Sequence, residues 1–508
     1  MIKRFLVFVH RWLGVAFCLV FLLWFPSGIG MMYWGYPDVS ADDRLERAPA
    51  LDRAKILLSP SEAYARLDPS APPPSQARLN MFDGRPVYRF RAAGSGATVF
   101  ADTGEERGDV SMEMVARIAA AWTKQAASTA RVEEITEVDQ WTLQTNLGTV
   151  QPLWKYTWPN GEQVYVSQAS GEVVQYTTRA SRLGAYAGPI THWFYFTPLR
   201  KHGLQWSTVV IWSSGIGTVA ALLGIVVGLW MYSPRKRYRY DGAPTGIPYR
   251  GQKRWHMVLG LVFGVATATW AFSGMLSMEP FPLSSGGGSD DPRAEIVGQI
   301  QQSLRSGMDF EAYAAKDPRD ALAQLASLQI KELEWTTVAG QPVYMATLDG
   351  GDTRMVPVEG EPVRELDHDA LIDFIKKVAG PDGLVDARVL DQYDAYYLDR
   401  RRERPLPVIL ARINDAEQTR VYIDPKTARL VGGYRASDWA TRWAYHGLHS
   451  LDFPWLYNYR PAWDIVVMTF MLGGTALCVT SLVLAWRVLG RKLARSSRPA
   501  SDILPNEA

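Results

Sequence analysis

The sequence predicts a membrane α-helical bundle of four transmembrane helices in two pseudo-symmetric halves, with an α+β domain in each of two long outer loops. Three observations support this fold class. Four segments of the 508-residue chain are almost purely apolar, basic residues cluster between and beside these segments, and the two halves of the chain repeat one another. The remaining sequence resembles ordinary soluble protein, so a membrane part and folded loops are combined in one chain.

Each apolar segment reaches the roughly 20 residues that a helix needs to cross a bilayer. The first segment continues into bulky aromatic residues without a small-residue cleavage site, so we interpret it as an anchor helix rather than a cleaved signal peptide. The four predicted spans are Phe5–Tyr33, Trp206–Tyr232, Met257–Met278 and Ile465–Trp486.

Lysine and arginine predict the orientation of the bundle. The linker 233–254 carries seven basic residues and one acidic residue, and both ends of the chain are basic. Because basic residues mark the cytoplasmic side of a membrane protein, we expect the linker and both termini in the cytoplasm of a bacterial cell and the two long loops in the periplasm. The formal net charge of +2 gives no reason to expect a nucleic-acid partner.

The internal repeat has two constant offsets, 246 residues between the first and third spans and 257 residues between the second and fourth. Both halves begin and end inside, so the repeat is parallel and its pseudo-two-fold axis lies along the membrane normal. The matched pairs are His10 with His256, Gly14 with Gly260, Trp24 with Trp270, Ser27 with Ser273, Gly28 with Gly274, Tyr165 with Tyr422, His192 with His449, Trp206 with Trp463, and Gly217 with Gly474.

Both outer loops contain short stretches in which apolar and polar residues alternate between turn residues, a pattern that predicts strands. Short amphipathic helices accompany them, so each loop is predicted to be an α+β domain of two similar units, with linkers or loop tips at 71–75 and 284–292. The predicted organisation is helix 1 at 1–36, outer domain 1 at 37–190, helix 2 with its interfacial lead at 191–233, a basic linker at 234–255, helix 3 at 256–279, outer domain 2 at 280–445, helix 4 with its lead at 446–487, and a tail at 488–508.

The repeat selects four of the seven histidines. It sets His10 opposite His256 near the cytoplasmic face and His192 opposite His449 near the outer face. Two neutral imidazoles on facing helices are what a bis-histidine b-type haem requires as axial ligands. The sequence therefore predicts two b-type haems, with these four histidines bound to the two irons.

Glycines accompany both predicted haem sites. Gly14 and Gly260 follow the inner histidines by four residues, and Gly28 and Gly274 lie 18 residues after them on the same helical face, close to the outer pair. The missing side chains leave room for a flat macrocycle. Because the rise from the inner histidine to Gly28 is about 27 Å, the two haems would be stacked across the bilayer.

Other interpretations of the histidines and glycines stay open on sequence alone. His446, one turn before His449, and His202 are placed to substitute as outer ligands. Histidines at helix ends also snorkel to the interface without binding anything, and glycines also suit helix packing in membranes. A zinc or copper site would need more clustered ligands. The two cysteines, Cys18 and Cys478, lie in apolar segments, which excludes CxxCH haem attachment and a cysteine-ligated cluster.

Arginines near the outer face are candidate partners of haem propionates, with lipid head groups and water as equal alternatives. A separate run of arginines could attract an anionic chelate or could simply form a solvated face of the protein. The candidate propionate partners are Arg179, Arg182, Arg200, Arg435, Arg442 and Arg460, and the basic run comprises Arg400, Arg401, Arg402 and Arg404.

Four motifs carry a resemblance to the PepSY-associated transmembrane family: HRWLG at the first span, RWHMVLG at the third, the VYxD-type strand ends in the loops, and HGLHSLDFPWLYNYRPAWDIV before the fourth. The resemblance covers nearly the whole chain. It implies two periplasmic PepSY-like domains, and the family includes di-haem reductases of the Gram-negative inner membrane that release iron from ferric siderophores.

Two functional hypotheses follow from the residues and the resemblance. The first is a haem-dependent ferric (siderophore) reductase that passes electrons from the cytoplasmic side to a periplasmic acceptor. Because no dinucleotide or flavin motif is present, its donor would be a separate cytoplasmic protein or a quinol. The second is a non-enzymatic, membrane-anchored binding or regulatory protein whose PepSY-like domains contact peptides or a periplasmic protein.

Overall fold

The computed structural model describes residues 1–67, 74–92, 95–281 and 295–496. The predicted linker at 284–292, most of the stretch 71–75 and the last part of the tail lie outside the described residues. The α-helices are α1 (Ile2–Met31), α2 (Ala41–Arg47), α3 (Pro60–Ala65), α4 (Met112–Thr123), α5 (Leu147–Val150), α6 (Arg179–Ala187), α7 (Pro189–Trp193), α8 (Thr197–Arg200), α9 (Gly203–Met231), α10 (Gly251–Leu276), α11 (Glu295–Leu304), α12 (Pro318–Gln324), α13 (His368–Ala379), α14 (Leu448–Ser450), α15 (Pro454–Tyr457) and α16 (Ala462–Ser496).

The β-strands lie in the two outer loops, apart from a small hairpin in the basic linker. They are β1 (Gln76–Phe82), β2 (Arg85–Ala92), β3 (Ser95–Phe100), β4 (Arg131–Glu134), β5 (Leu153–Thr157), β6 (Gln163–Ser167), β7 (Glu172–Thr177), β8 (Tyr238–Tyr240), β9 (Ala243–Thr245), β10 (Arg305–Ser306), β11 (Glu332–Val338), β12 (Gln341–Thr347), β13 (Thr353–Pro357), β14 (Leu384–Leu390), β15 (Val408–Ile413), β16 (Arg420–Asp424) and β17 (Arg429–Tyr434).

Helices α1, α9, α10 and α16 are long and apolar enough to cross a membrane, which confirms the four predicted spans. Each helix begins a few residues before its apolar segment, because helical hydrogen bonding continues into the polar flank. In the same way α16 runs on to Ser496, beyond the apolar limit at Trp486.

The four long helices form a bundle in which α1 and α10 each pack against both α9 and α16. Helices α1 and α10 therefore occupy opposite corners. Glycines allow close crossings, as membrane helix packing favours: a β-carbon at Gly217 would lie 3.0 Å from the ring of Phe21, and one at Gly474 would overlap the ring of Phe25. These two glycines are the matched pair of the second and fourth spans.

The outer loops fold into antiparallel sheets, as their alternating pattern predicts. Strands β4 to β7 form one four-stranded sheet and β14 to β17 another, each in simple chain order. The third sheet has the order β13-β12-β11-β1-β2-β3, with β10 added beside β11. Each loop thus supplies one four-stranded meander and one three-stranded meander.

The third sheet is built from strands of both outer loops. Strand β1 of the first loop pairs with β11 of the second, with Leu79 opposite Leu333. Residues of both loops form one buried cluster around this junction, including Tyr88 and Tyr344. Because an unpaired edge strand leaves backbone N–H and C=O groups without partners, the pairing of β1 with β11 satisfies the edge of both loops. The outer part is therefore joined across the boundary between the two predicted domains.

Candidate functional site

His10 on α1 and His256 on α10 face each other inside the bundle. Their ring centroids are 6.2 Å apart, and the ring planes meet at 33°. Because α1 and α10 occupy opposite corners of the bundle, the two rings meet across its interior. The structure thus brings together the two inner histidines that the repeat matches.

His192 and His449 form the second pair, with ring centroids 6.0 Å apart and ring planes at 66°. Each lies in the last turn of a short helix, α7 or α14, that leads toward a spanning helix. Both short helices end at a residue in the left-handed conformation, Phe194 with φ 55° and Leu451 with φ 53°. The same local turn in both halves therefore delivers the two rings to one place.

The Nδ1 atoms of the inner histidines are held by acceptors on α9 and α16. Nδ1 of His10 lies 3.1 Å from the carbonyl oxygen of Ala220. Nδ1 of His256 lies 3.2 Å from Oγ1 of Thr480 and 3.3 Å from Oγ of Ser481. Both hydroxyls donate their own protons to the carbonyl of Leu477, the residue that the 257-residue offset matches with Ala220.

The Nδ1 atoms of the outer histidines are held by α1 and α10 in the same way. Nδ1 of His192 lies 3.2 Å from both Oγ of Ser27 and the carbonyl oxygen of Trp24. Nδ1 of His449 lies 3.1 Å from Oγ of Ser273, and this hydroxyl donates to the carbonyl of Trp270. Ser273 and Trp270 are matched with Ser27 and Trp24 by the 246-residue offset.

These contacts determine the tautomer of the rings. A carbonyl oxygen only accepts hydrogen bonds, so Nδ1 must carry the proton and donate it. The hydroxyl contacts require the same tautomer. The Ser27 hydroxyl donates its own proton to the carbonyl of Leu23 at 2.6 Å, so its oxygen can only accept the proton of His192 Nδ1. Nε2 then carries a free lone pair. Within the described part of the chain no hydrogen bond reaches Nε2 of His10, His192, His256 or His449.

Metal-binding histidines use this arrangement, in which the second ring nitrogen donates to a carbonyl or a side-chain oxygen and thereby fixes the ring. In a linear Nε2–iron–Nε2 geometry with bonds of about 2 Å, the two ring centroids lie roughly 6 Å apart. The observed separations of 6.2 Å and 6.0 Å match this spacing. Rings rotate about a metal–nitrogen bond, so the different interplanar angles are both compatible with it.

The predicted glycines leave space beside the inner pair. A β-carbon at Gly14 would have no atom of another residue within 4 Å, and one at Gly260 would meet only Leu477 at 3.8 Å. Protein packing therefore does not require glycine at either position. A different glycine makes the close contact: a β-carbon at Gly224 of α9 would lie 2.7 Å from Cε1 of His10.

A cavity of about 350 Å³ lies at the outer pair, lined by His192, His449 and mostly apolar and aromatic side chains. Gly28 and Gly274 are part of its wall. A β-carbon at Gly274 would lie 3.4 Å from Cε1 of His449, and one at Gly28 would collide with Met471 at 2.9 Å. The outer glycines thus line the cavity and also allow Met471 and His449 to pack closely against the helices.

The outer histidines lie outside the four spanning helices, in surroundings that disfavour a charged ring. Burial lowers the pKa of both His192 and His449 below the ordinary histidine value. Both imidazoles therefore stay neutral across the physiological pH range, and the neutral ring is the form that coordinates a metal.

The two alternative outer ligands are not brought into a pair. His202 is exposed at the start of α9, and the ring of His446 lies against Tyr445 with centroids 4.7 Å apart. In the described ranges no group of three or more histidine, cysteine, aspartate or glutamate side chains is arranged to hold a metal ion. A bare zinc or copper ion would have only two imidazoles at either pair, whereas a porphyrin supplies the remaining ligands itself.

Most arginines expected near propionates have other partners. Arg200 stacks on two aromatic rings of the cavity wall, those of Tyr195 and Trp206. The other partners are the carbonyl of Pro159 for Arg179, the Thr177 hydroxyl and Gly161 carbonyl for Arg182, the Ala395 and Asp452 carbonyls for Arg442, and the carboxylate of Asp464 for Arg460.

Sequence reasoning missed three kinds of residue at these sites. It matched Ser27 with Ser273 but assigned no role to the hydroxyls, although their spacing from the histidine pairs was visible. It gave no signal for Gly224, whose contact with His10 depends on how α1 and α9 cross. It grouped Arg400 with an exposed basic run and gave no signal that this arginine also lines the outer cavity with His449.

The architecture defines a multi-pass membrane protein whose four apolar helices carry sheet-rich outer loops. A family model described as the PepSY-associated TM region matches residues 7–330, which is more than half of the chain. The chain therefore belongs to the PepSY-associated transmembrane family. The matched region contains α1, α9 and α10 and three of the four paired histidines. No curated protein matches the sequence significantly.

Proposed function

We propose that the chain is a b-type di-haem oxidoreductase of the bacterial inner membrane that passes electrons from the cytoplasmic side to a periplasmic acceptor, ferric iron in a siderophore chelate. One observation carries this proposal. Four histidines lie in two pairs, with centroids 6.0 Å and 6.2 Å apart, and each has its Nδ1 bound so that Nε2 is a bare lone pair.

The protein's part in this chemistry is to hold and orient the ligands. His10 and His256 would bind one haem, and His192 and His449 the other. When bound, such haems supply one-electron carriers at two depths of the membrane. The carbonyl and hydroxyl acceptors prevent the rings from turning and raise the basicity of Nε2, which favours the ferric state.

The bundle separates the two sites along its axis. Ser27, which touches the outer pair, follows His10 by 17 residues on α1, a rise of about 25 Å. Aromatic side chains of the spanning helices pack at the outer cavity, with centroids of Phe21 and Phe25 6.4 Å apart and those of Phe25 and Trp270 5.9 Å apart. The part of the route between the two sites that adjoins the outer pair is therefore largely apolar.

The charge pattern supports the direction of transfer. The linker between α9 and α10 is basic and predicts a cytoplasmic location for itself and both termini, so the inner pair is close to a cytoplasmic or quinol donor. The outer pair opens toward the sheet-rich loops. We include in this proposal the pseudo-two-fold relation of the two halves and two PepSY-like domains at 37–190 and 280–445, which the contacts repeated at constant offsets support.

Vectorial electron transfer tests the proposal. The protein is reconstituted in vesicles, a ferric chelate is supplied on the side of the outer loops, and a membrane-impermeant reductant on the side of the basic linker. We expect Fe(II) to form only when both are present and the rate to fall at least about 100-fold in His256→Ala. His368→Ala, which changes a histidine of the outer part at the start of α13, is the matched control.

A purified protein without a Soret band, inserted normally in membranes, would contradict the proposal. That result would favour the second hypothesis, a membrane-anchored PepSY protein that binds peptides or a periplasmic protein.

A further inference from the structure

A tightly built loop carries four arginines, of which Arg400 lines the outer cavity. The carboxylate of Asp399 accepts hydrogen bonds from the backbone N–H groups of Arg401 at 3.1 Å, Glu403 at 2.5 Å and Arg404 at 2.7 Å. Arg402 adopts the left-handed conformation, with φ 58°. The backbone thus winds around one carboxylate, so the loop has a defined shape.

Aromatic side chains fix this Asp399–Arg404 loop to the protein. The hydroxyl of Tyr393 donates to the carbonyl of Arg404 at 2.8 Å, and the guanidinium of Arg404 lies 5.5 Å from the ring centroid of Tyr397. At the other end, the guanidinium of Arg400 lies 5.6 Å from the ring centroid of Trp463. The loop is therefore fastened between an outer domain and the first turn of α16.

The four arginines of the loop outnumber its two acidic residues, Asp399 and Glu403. Among the described residues, none of Arg400, Arg401, Arg402 and Arg404 lies within ion-pair distance of a carboxylate, although most other arginines of the outer part do. All four are exposed. The oxygens of Asp399 accept backbone N–H groups of the loop, and with the exposed Glu403 counted the loop carries a net charge of +2. Such a patch attracts anions over distances near the Debye length.

The position of Arg400 connects this patch to the redox site. Arg400 and His449 line the same cavity, so the loop reaches the cavity of the outer histidine pair through Arg400. An electron acceptor must approach the outer site closely.

We propose that the Asp399–Arg404 loop is the docking site of the electron acceptor and that it selects an anionic ferric chelate with carboxylate or phenolate groups. This inference rests on the proposed function, in which the reduced outer site is the electron source. One electron passes to the docked chelate and Fe(III) becomes Fe(II). No bond to the protein forms, and the more weakly held Fe(II) chelate dissociates.

The test compares acceptors of opposite charge. Purified, fully reduced protein is mixed in a stopped-flow instrument with ferric citrate or ferric EDTA, both anionic, and separately with the cationic acceptor hexaammineruthenium(III). The variant replaces three charges that lie outside the cavity wall: Arg401→Gln, Arg402→Gln and Arg404→Gln. The charge-matched control is Arg53→Gln, Arg131→Gln and Arg364→Gln, three exposed arginines outside the loop.

For the loop variant we expect reoxidation by the anionic chelates to slow about tenfold at low ionic strength, and reoxidation by the cationic acceptor to stay the same or become faster. The difference should shrink in high salt. The control should behave as the unchanged protein. Equal slowing with both acceptors, or no slowing with either, overturns the inference.

Two outcomes separate this inference from others. If the protein contains haem but reduces anionic and cationic acceptors without charge preference, the docking site is wrong and the proposed function is unaffected. If the purified protein is colourless, the proposed function itself is wrong. If the loop variant loses only co-purified anionic lipid and keeps its acceptor rates, the loop is a lipid contact and the inference is wrong.

Discussion

The hydroxyl oxygen of Ser273 lies 3.1 Å from Nδ1 of His449. Ser273 is fully buried, and its own proton is directed to the carbonyl of Trp270 at 3.2 Å. The contact therefore leaves the imidazole of His449 one choice of tautomer, in which Nδ1 carries the proton and Nε2 is a free base.

Removing this hydroxyl changes the electronic character of the outer ligand. In Ser273→Ala the ring loses this acceptor, so Nε2 becomes less basic and stabilises ferric iron less. We expect both haems to remain and the midpoint potential of one to rise by tens of millivolts, on the order of 30 mV. Redox titration followed by visible absorbance measures it.

Ser213→Ala is the matched control, because the Ser213 hydroxyl bonds only carbonyls of its own helix. If both variants leave the two potentials unchanged, the contact with His449 does not tune the site.

Gly224 provides a way to disturb the inner site alone. A β-carbon there would lie 2.7 Å from Cε1 and 3.4 Å from Nε2 of His10, which forces the ring to move. We expect Gly224→Ala to reduce the haem content from two to one per chain while the outer site stays intact. Haem-to-protein ratio and the redox titration curve report the loss.

Gly228→Ala, one turn further along α9, is the control, since its β-carbon would meet only the flexible side chain of Leu261 at 3.2 Å. Equal haem contents in the two variants would contradict the close packing of His10 against α9.

The shared outer sheet predicts that the two loops lose structure together. Leu333 on β11 is fully buried and pairs with Leu79 across the junction. Leu333→Ala should cost about 2–5 kcal/mol through lost burial and the cavity left behind. Limited proteolysis should then cut both loops at similar rates, with Val385→Ala, at a side chain 58% exposed, as the control. Cleavage confined to the second loop would show that the sheet does not couple them.

Asp452 predicts a pH dependence of stability. It lies outside the spanning helices, and burial raises its pKa to about 6 from the usual 3.8, against the attraction of Arg400 and Arg442. The folded protein therefore binds this proton more tightly than the unfolded chain, so stability falls as pH rises from about 4 to 6 and is constant above.

We expect Asp452→Asn to raise the thermal midpoint at pH 8, corresponding to roughly 2–3 kcal/mol, and to change little at pH 4. The exposed Asp373→Asn should have no such effect. An equal effect of Asp452→Asn at both pH values would mean that ionisation of the buried carboxyl is not its cause.

The spans and the histidine pairs were predictable because each depends on local or repeated sequence. Apolar length determines a spanning helix, and the offsets match His10 with His256 and His192 with His449 without any knowledge of packing. The repeat even matched Ser27 with Ser273, whose role became visible only with the distance to the imidazoles.

The remaining features depend on contacts between distant parts of the chain. The pairing of β1 with β11 joins edge strands of two loops, and no local pattern specifies which edge pairs with which. Arg400 reaches the cavity because the loop winds around Asp399, which the run of charges does not reveal. The close approach of Gly224 to His10 depends on the crossing of two helices.

Haem stoichiometry of the purified full-length protein is the most direct measurement of the central claim. The account predicts two b-type haems per chain by pyridine haemochrome assay, one in His256→Ala, one in His449→Ala, and two in His446→Ala and His202→Ala. Protein without haem, or with unchanged content in both His256→Ala and His449→Ala, would contradict it.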